Sequence, residues 1–243
     1  MKLFKITSLV VLVMVSLYAV SSTGLATTIP EGYAQDKFSI GDKWVYDITA
    51  SNGVVIGWGG FAGNYSSEVN GQIEFTLVGF STTWSGDIPF FNITFKLANG
   101  QVNGTIANIS NEDLAFLFTL NIGMFVPGAI AKINWTENTL LAQNEVNTPA
   151  DQPYSMNGTL TVTTQNGRVT YDYKQNESNG DQKCKLVYDE SSGIIQSWNS
   201  SIFNYYMTAV LHQHQDDNKI SGYNLPIIIV SAIAIIGLIK RKK

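Results

Sequence analysis

The chain has 243 residues, 44% hydrophobic and 12% aromatic, which excludes a disordered polymer. Six of its fifteen Lys and Arg residues sit at the two ends, so the middle carries nine against all nineteen Asp and Glu, a formal charge of −10. No basic stripe is left to neutralise phosphates, and a nucleic-acid partner is excluded. In chain order, Lys2 and Lys5 precede an apolar run from Ile6 to Val20, followed by small polar residues through Ala26. That is the order of a secretory signal: basic n-region, short h-region, small-residue cleavage zone. Cleavage after Ala26, with Gly24 at −3, makes residues 1–26 the signal peptide; cleavage near Ser22 fits the same pattern. An uncleaved anchor is the competing reading, although a span wants about 20 apolar residues. Either version sends the next segment outside.

Residues 27–215 read as a β-rich exterior domain. Trp44, Tyr46 and Ile48 alternate in the first strand, Ile73, Phe75 and Leu77 in another, and Phe91, Ile93, Phe95 and Leu97 in a third. A period of two marks strands with one buried face. Asn-Gly occurs at Asn52, Asn70, Asn99, Asn103, Asn157, Asn166 and Asn179, the pair that tight hairpin turns favour. Asn111-Glu112-Asp113 then opens an apolar run from Leu114 to Val126. With Asn111 as N-cap and Gly123 and Pro127 as stop signals, this is a helical cover over the sheet; a long strand and a pocket lining are the alternatives. Residues 155–211 predict a meander of about five antiparallel strands, with Leu160 and Val162 flanking the Asn166-Gly167 turn against Val169, Tyr171 and Tyr173. Cys184, Leu186 and Tyr188 continue it through Gly193 to Ile194, Gln196 and Trp198.

Asn-X-Ser/Thr occurs eight times, at Asn64, Asn92, Asn103, Asn108, Asn134, Asn157, Asn176 and Asn199. That is about twice what composition alone gives, and every match lies in the exterior segment, so these are the candidate glycosylation sites. An Asn-, Ser- and Thr-rich β protein accumulating the pattern by composition is the competing reading. Cys184 stands alone, so no intrachain disulfide forms, and its alternation with Leu186 and Tyr188 makes it a packing residue rather than a nucleophile.

Catalytic constellations are missing from the sequence: there is no Gly-X-Ser-X-Gly elbow, phosphate loop or zinc-ligand spacing. His212 and His214 fall on alternate positions of a strand and are weak metal candidates, with Asp216 and Asp217 just beyond. The paired carboxylates Glu112-Asp113, Asp189-Glu190 and Asp216-Asp217 suit turns and solubility better than acid–base chemistry. Trp58, Trp84 and Trp135 suggest carbohydrate stacking, though packing is the commoner use of tryptophan. No cofactor is implied.

After a stalk at 216–224, the apolar run 225–239 ends in Lys240-Arg241-Lys242-Lys243. A span with the basic tail in the cytoplasm follows from the positive-inside rule. Fifteen residues make about 22 Å of helix against a hydrocarbon core of about 30 Å, so the segment is short; Tyr223 at the outer interface and Lys240 and Arg241 at the inner one narrow the mismatch. A sorting signal cut near residues 222–226 is the alternative.

Two stretches resemble known families. Gly222-Tyr223-Asn224-Leu225-Pro226, the run to Ile239 and the basic tail resemble the Loki-CTERM type of archaeal C-terminal sorting or anchoring signal. The segment from Phe38 through Ser39-Ile40-Gly41-Asp42-Lys43-Trp44-Val45-Tyr46-Asp47 to Ile48, with Asn134-Trp135-Thr136 further on, is similar to archaeal surface domains called choice-of-anchor S. These likenesses imply an archaeal cell-surface protein held by its C-terminus, and bring no catalytic residues. The expected fold is mainly β, an antiparallel meander forming a sandwich or half-barrel with one helical cover segment, between an N-terminal signal and a C-terminal transmembrane helix. The expected function is a non-enzymatic structural or adhesive role at the cell surface, with the membrane as partner through the C-terminal helix and a surface-layer, glycan or lipid partner left open. A binding module for a hydrophobic ligand and an extracellular hydrolase are the alternatives; converging carboxylates such as Asp87 and Asp172 would favour the latter.

Overall fold

A computed structural model describes residues 25–53, 55–57, 64–83, 86–120, 125–147, 157–176 and 180–215. Of the expected signal peptide 1–26, residues 1–24 lie outside them, as do the segments expected to form the stalk, the span 225–239 and the basic tail, whereas Ala26 pairs with Phe80, its N–H donating at 2.7 Å and its carbonyl accepting at 3.0 Å. Among the described residues no helix is long and apolar enough to cross a membrane.

The strands are β1 (Lys43–Ser51), β2 (Val55–Gly57), β3 (Asn64–Ser66), β4 (Gln72–Thr83), β5 (Gly86–Lys96) and β6 (Val102–Ser110), then β7 (Gly158–Gln165), β8 (Arg168–Gln175), β9 (Lys183–Asp189), β10 (Ile195–Ile202) and β11 (Tyr205–Gln215). Between β6 and β7 lie two helices, α1 (Asn111–Thr119) and α2 (Trp135–Val146). Nine strands form one antiparallel sheet in the order β6-β5-β4-β1-β11-β10-β9-β8-β7, while β2 and β3 pair separately. The sheet is therefore two meanders, β4–β6 and β7–β11, welded by the first strand: Trp44 of β1 lies opposite Phe75 of β4 on one side and His214 of β11 on the other.

The expected alternation holds across the sheet. Trp44, Tyr46 and Ile48, then Ile73, Phe75 and Leu77, then Phe91, Ile93 and Phe95 are all buried. So are Val169, Tyr171 and Tyr173, and Cys184, Leu186 and Tyr188. The meander from β7 to β11 has the five expected strands, with Asn166 and Gly167 both at positive φ in the two-residue turn between β7 and β8. Two details differ. Asn103-Gly104 is not a turn but part of β6, because the Tyr65 ring lies over Gly104 where a Cβ would come within 1.5 Å of it. In β10 a bulge at Gln196 shifts the register, so Ile195 joins Trp198 inside.

Helix α1 touches β5, β6, β9 and β10. In the sheet order three strands separate β5 from β10, which at about 4.8 Å per step is roughly 19 Å, more than a helix about 10 Å wide can bridge on a flat surface. The sheet consequently curls around the helix. Phe118 marks the centre: its ring lies 5.8 Å from Phe75 on β4 and 4.8 Å from Trp198 on β10, with Leu114 and Leu117 buried beside it.

The helical run differs from its expected form in three ways. Its N-cap is Ser110, whose hydroxyl accepts from the Asp113 N–H at 3.1 Å and donates to the Asp113 carboxylate at 2.6 Å. The helix stops at Thr119, with Leu120 in the left-handed conformation as C-cap, rather than running toward Val126. There is also a second helix, α2, where only one cover segment was expected. Asn134 caps it, its side-chain oxygen accepting from the Glu137 N–H at 3.3 Å while its amide donates to the Glu137 carboxylate at 2.9 Å.

Candidate functional site

Two of the sequon asparagines stand on the outer face of the sheet. Asn92 stands on β5 opposite Thr76, and Asn199 on β10 between Lys185 of β9 and Thr208 of β11. Asn92, Asn108, Asn134, Asn176 and Asn199 are exposed, and Asn103 and Asn157 half-buried. Asn64 lies on β3, with its side chain outside the described residues. None of the seven described asparagines belongs to the core, so each can meet solvent.

Local bonding distinguishes them. The Asn103 amide donates to the Ser66 carbonyl at 3.4 Å, and Asn176 to the Asn157 side-chain oxygen at 2.8 Å. Asn92 uses its carbonyl oxygen instead, accepting from the Asn108 N–H at 3.0 Å, which turns its amide nitrogen away from the backbone. Since a glycan attaches through that nitrogen, Asn92 on the outer face has the most favourable geometry of these.

The other candidate residues have structural partners. His212 Nδ1 lies 2.7 Å from the Asp47 carboxylate on β1, whose second oxygen accepts from Gln72 at 2.8 Å. His212 is the extra residue of a bulge, since Val45 faces Gln213 and Tyr46 faces Leu211. The strict alternation that would put His212 and His214 on one face is thereby interrupted, and among the described residues no three His, Cys, Asp or Glu side chains assemble as a metal site. Cys184 is buried at 1% exposure, donating to the Thr119 carbonyl and accepting from Gln182, both at 3.5 Å. Burial pushes its thiol up to about 11, away from thiolate chemistry.

Of the paired carboxylates, two lie among the described residues and serve local structure. Asp113 completes the α1 cap. Asp189 accepts from the N–H and hydroxyl of both Ser191 and Ser192, at 2.7 to 3.1 Å, in the β9–β10 connection. Desolvation raises its carboxyl, but those four bonds together outweigh it and hold the group below the usual carboxylate range. Asp87 accepts from the Thr82 hydroxyl, and Asp172 lies 3.9 Å from Lys185; five strands separate their own two in the sheet order, so they do not converge. Trp135 is half-buried, its indole N–H donating to the Glu190 carbonyl at 2.8 Å and its ring packed on Tyr188. Trp58, Trp84, Asp216 and Asp217 lie outside the described residues.

The Phe38–Ile48 segment is a turn feeding the central strand. Asp42 is buried, its carboxylate accepting from the Ser39 N–H at 2.8 Å, and its own N–H donates to the Ser39 carbonyl at 3.1 Å. Clefts of about 480, 460 and 350 Å³ lie on the described surface. The first, beside the N-terminal segment, mixes Thr28, Glu31 and Asp87 with Phe80.

Asn111, expected as the N-cap, has a different and larger part. Asn111 is buried, and its side chain holds the following loop at four points: it donates to the Pro127 and Ile130 carbonyls and accepts from the Ala129 and Ile130 N–H groups. That loop in turn meets the sheet, where Ala131 donates to the Gly193 carbonyl at 2.8 Å and Ile195 to the Ala129 carbonyl at 3.0 Å. Asn111 is thus the clamp between α1 and β10, and the cap position passes to Ser110. The chain matches no protein-family model, and no curated protein matches it.

Proposed function

We propose that this chain is a membrane-anchored, glycosylated archaeal surface protein whose exterior domain, residues 27–215, has a structural or adhesive role rather than a catalytic one. The observation that carries the reading is the division of the sheet: every sequon asparagine with a described side chain lies outside the core, while the inner face is filled by the chain's own α1. In this reading the domain is a filled half-barrel that presents glycans outward. A hydrophobic-ligand role would need Phe118 to leave its place between Phe75 and Trp198.

The stalk at 216–224, the span at 225–239 and the cytoplasmic Lys240–Lys243 complete the proposal, supported by the apolar run and its four cations. The archaeal surface assignment is supported by the likeness of the tail to Loki-CTERM signals and of the Phe38–Ile48 segment to choice-of-anchor S domains. Deleting residues 222–243 in the native host tests the anchor. Release of the chain into the medium is expected; retention of the truncated chain in the envelope contradicts it. The mature C-terminal peptide distinguishes a retained span, ending at Lys243, from a processed sorting signal, ending near Asn224.

A further inference from the structure

We infer that β7 is a docking edge that pairs with β7 of a second copy of this chain. The two edges of the nine-stranded sheet are treated differently. An exposed strand edge templates further pairing, and proteins blunt it with charge, proline, bulges or covering groups. At β6 the register against β5 is broken twice and Asn108 has a positive φ. The Tyr65 hydroxyl there donates to the Thr105 carbonyl at 3.0 Å while its ring covers Gly104, and two sequons, Asn103 and Asn108, stand within the strand.

At β7 such devices sit only at its start, where the sequon Asn157 has a positive φ and the Tyr173 ring crowds Gly158; α2 packs against the strand, and Thr159–Gln165 carries none of the others. Its register with β8 runs unbroken through eight pairs, and from Ser155 to Gly167 the sequence has no charged residue and no proline. No described strand pairs with its other side.

The backbone phase is fixed. The Asn176 N–H donates to the Asn157 carbonyl at 3.0 Å, and a two-residue turn closes the far end between Gln165 and Arg168. Odd-numbered residues therefore bond to β8, and the N–H and C=O groups of Gly158, Leu160, Val162 and Thr164 point to the free edge.

A second copy suits this edge because the strand is complementary to itself. An antiparallel pair with its two-fold axis at Val162 sets Val162 against Val162 and Leu160 against Thr164. On the outer face it sets Thr161 against Thr163, so these central pairs are uncharged and threonine meets threonine. Apolar surface also continues from the strand onto α2, where Leu140 and Leu141 are 58% and 57% exposed and Leu140 shares a cleft with Thr164. The inference goes beyond the surface reading and does not rest on it, since only the edge strand enters.

The test uses the full chain in detergent. Val162→Cys places a half-buried thiol on the axis, beside its copy in the partner, and the native Cys184 is buried. A hydrogen-bonded antiparallel pair has a Cα separation of about 5.5 Å, within disulfide reach. Mild oxidation is expected to give a covalent dimer. Adding Thr161→Lys and Thr163→Lys, both exposed, opposes like charges across the axis and should abolish the cross-link. Without the cysteine, sedimentation should show the wild-type chain as a dimer and the double-lysine chain about tenfold weaker in association. A Val162→Cys chain that stays monomeric on oxidation overturns the inference. So does a dimer, covalent or not, that the two lysines leave unchanged.

Discussion

On the inner face of the sheet Trp44, Phe75, Phe91 and Trp198 are at most 1% exposed, whereas the outer face of the same strands carries Lys43, Glu74, Asn92 and Asn199. One pleat generates both sides, yet they answer to different demands. The inner side is an aromatic lattice in which Tyr46, Phe75, Phe118 and Trp198 meet edge-on or tilted at 4.8 to 6.5 Å, and Phe91 links Phe75 to Trp44 at 6.3 and 6.4 Å. The outer side is held by the backbone ladder and by exposed or half-exposed polar pairs such as Lys96–Glu74 and His212–Asp47, each worth little, and so has room for chemistry that contributes little to folding. Stability and surface function can then change separately.

Substitutions on the two sides should differ in kind. Trp198→Ala removes the ring shared by Tyr46, Phe75 and Phe118 and should cost about 3–5 kcal/mol, read by denaturant unfolding. Trp44→Ala and Tyr171→Ala belong to the same class, and a thermal shift near zero for either would reverse its assigned face. Asn111→Ala strips buried partners from the 127–130 loop and should cost about 2–4 kcal/mol, with Asn111→Asp no better, because a carboxylate cannot donate to the Pro127 and Ile130 carbonyls. Asn134→Ala loses the α2 cap and should cost about 1 kcal/mol. Asn92→Gln and Asn199→Gln, on the outer face, should fall within about 0.5 kcal/mol of the parent when the protein carries no glycans.

Two smaller effects sharpen the contrast. Asp189 has its carboxyl lowered in the folded chain, so its contribution is complete above the ordinary carboxylate range and is lost as pH falls through the lowered value. Asp189→Asn should flatten the acid limb of the stability profile; an unchanged limb would remove the Ser191 and Ser192 bonds from that role. Cys184, on the inner face, should resist a thiol reagent at pH 8 until the chain unfolds.

How far the fold is legible in the sequence depends on the periodicity of each segment. The strands that carry Trp44, Phe75, Phe91 and Tyr171 alternate cleanly, and the Asn166-Gly167 turn sets its own hairpin, so the β7–β11 meander and the strands β4 and β5 follow from local pattern, whereas β6, with its Asn103-Gly104 pair and irregular burial, does not. That β1 lies between the two meanders does not either, because pairing Lys43 with both Thr76 and Gln215 is a long-range event with no local signature. Helix α1 was recognisable from its apolar run, but its length was not: the left-handed Leu120 ends it within a stretch that stays apolar. Helix α2 left a real signal, Asn134 followed three residues later by Glu137, hidden because Asn134 also reads as a sequon. Asn111 had no such signal, since its partners are backbone groups 16 to 19 residues away.

The proposed separation of a self-filled inner face from an outer face that carries glycans is tested most directly by glycopeptide mapping of the protein from its native host. Glycans are expected at sites that include Asn64, Asn92, Asn157 and Asn199, with the exposed outer-face positions Asn92 and Asn199 among those occupied. Eight unmodified asparagines would contradict the glycoprotein reading, and with it the role assigned to the outer face.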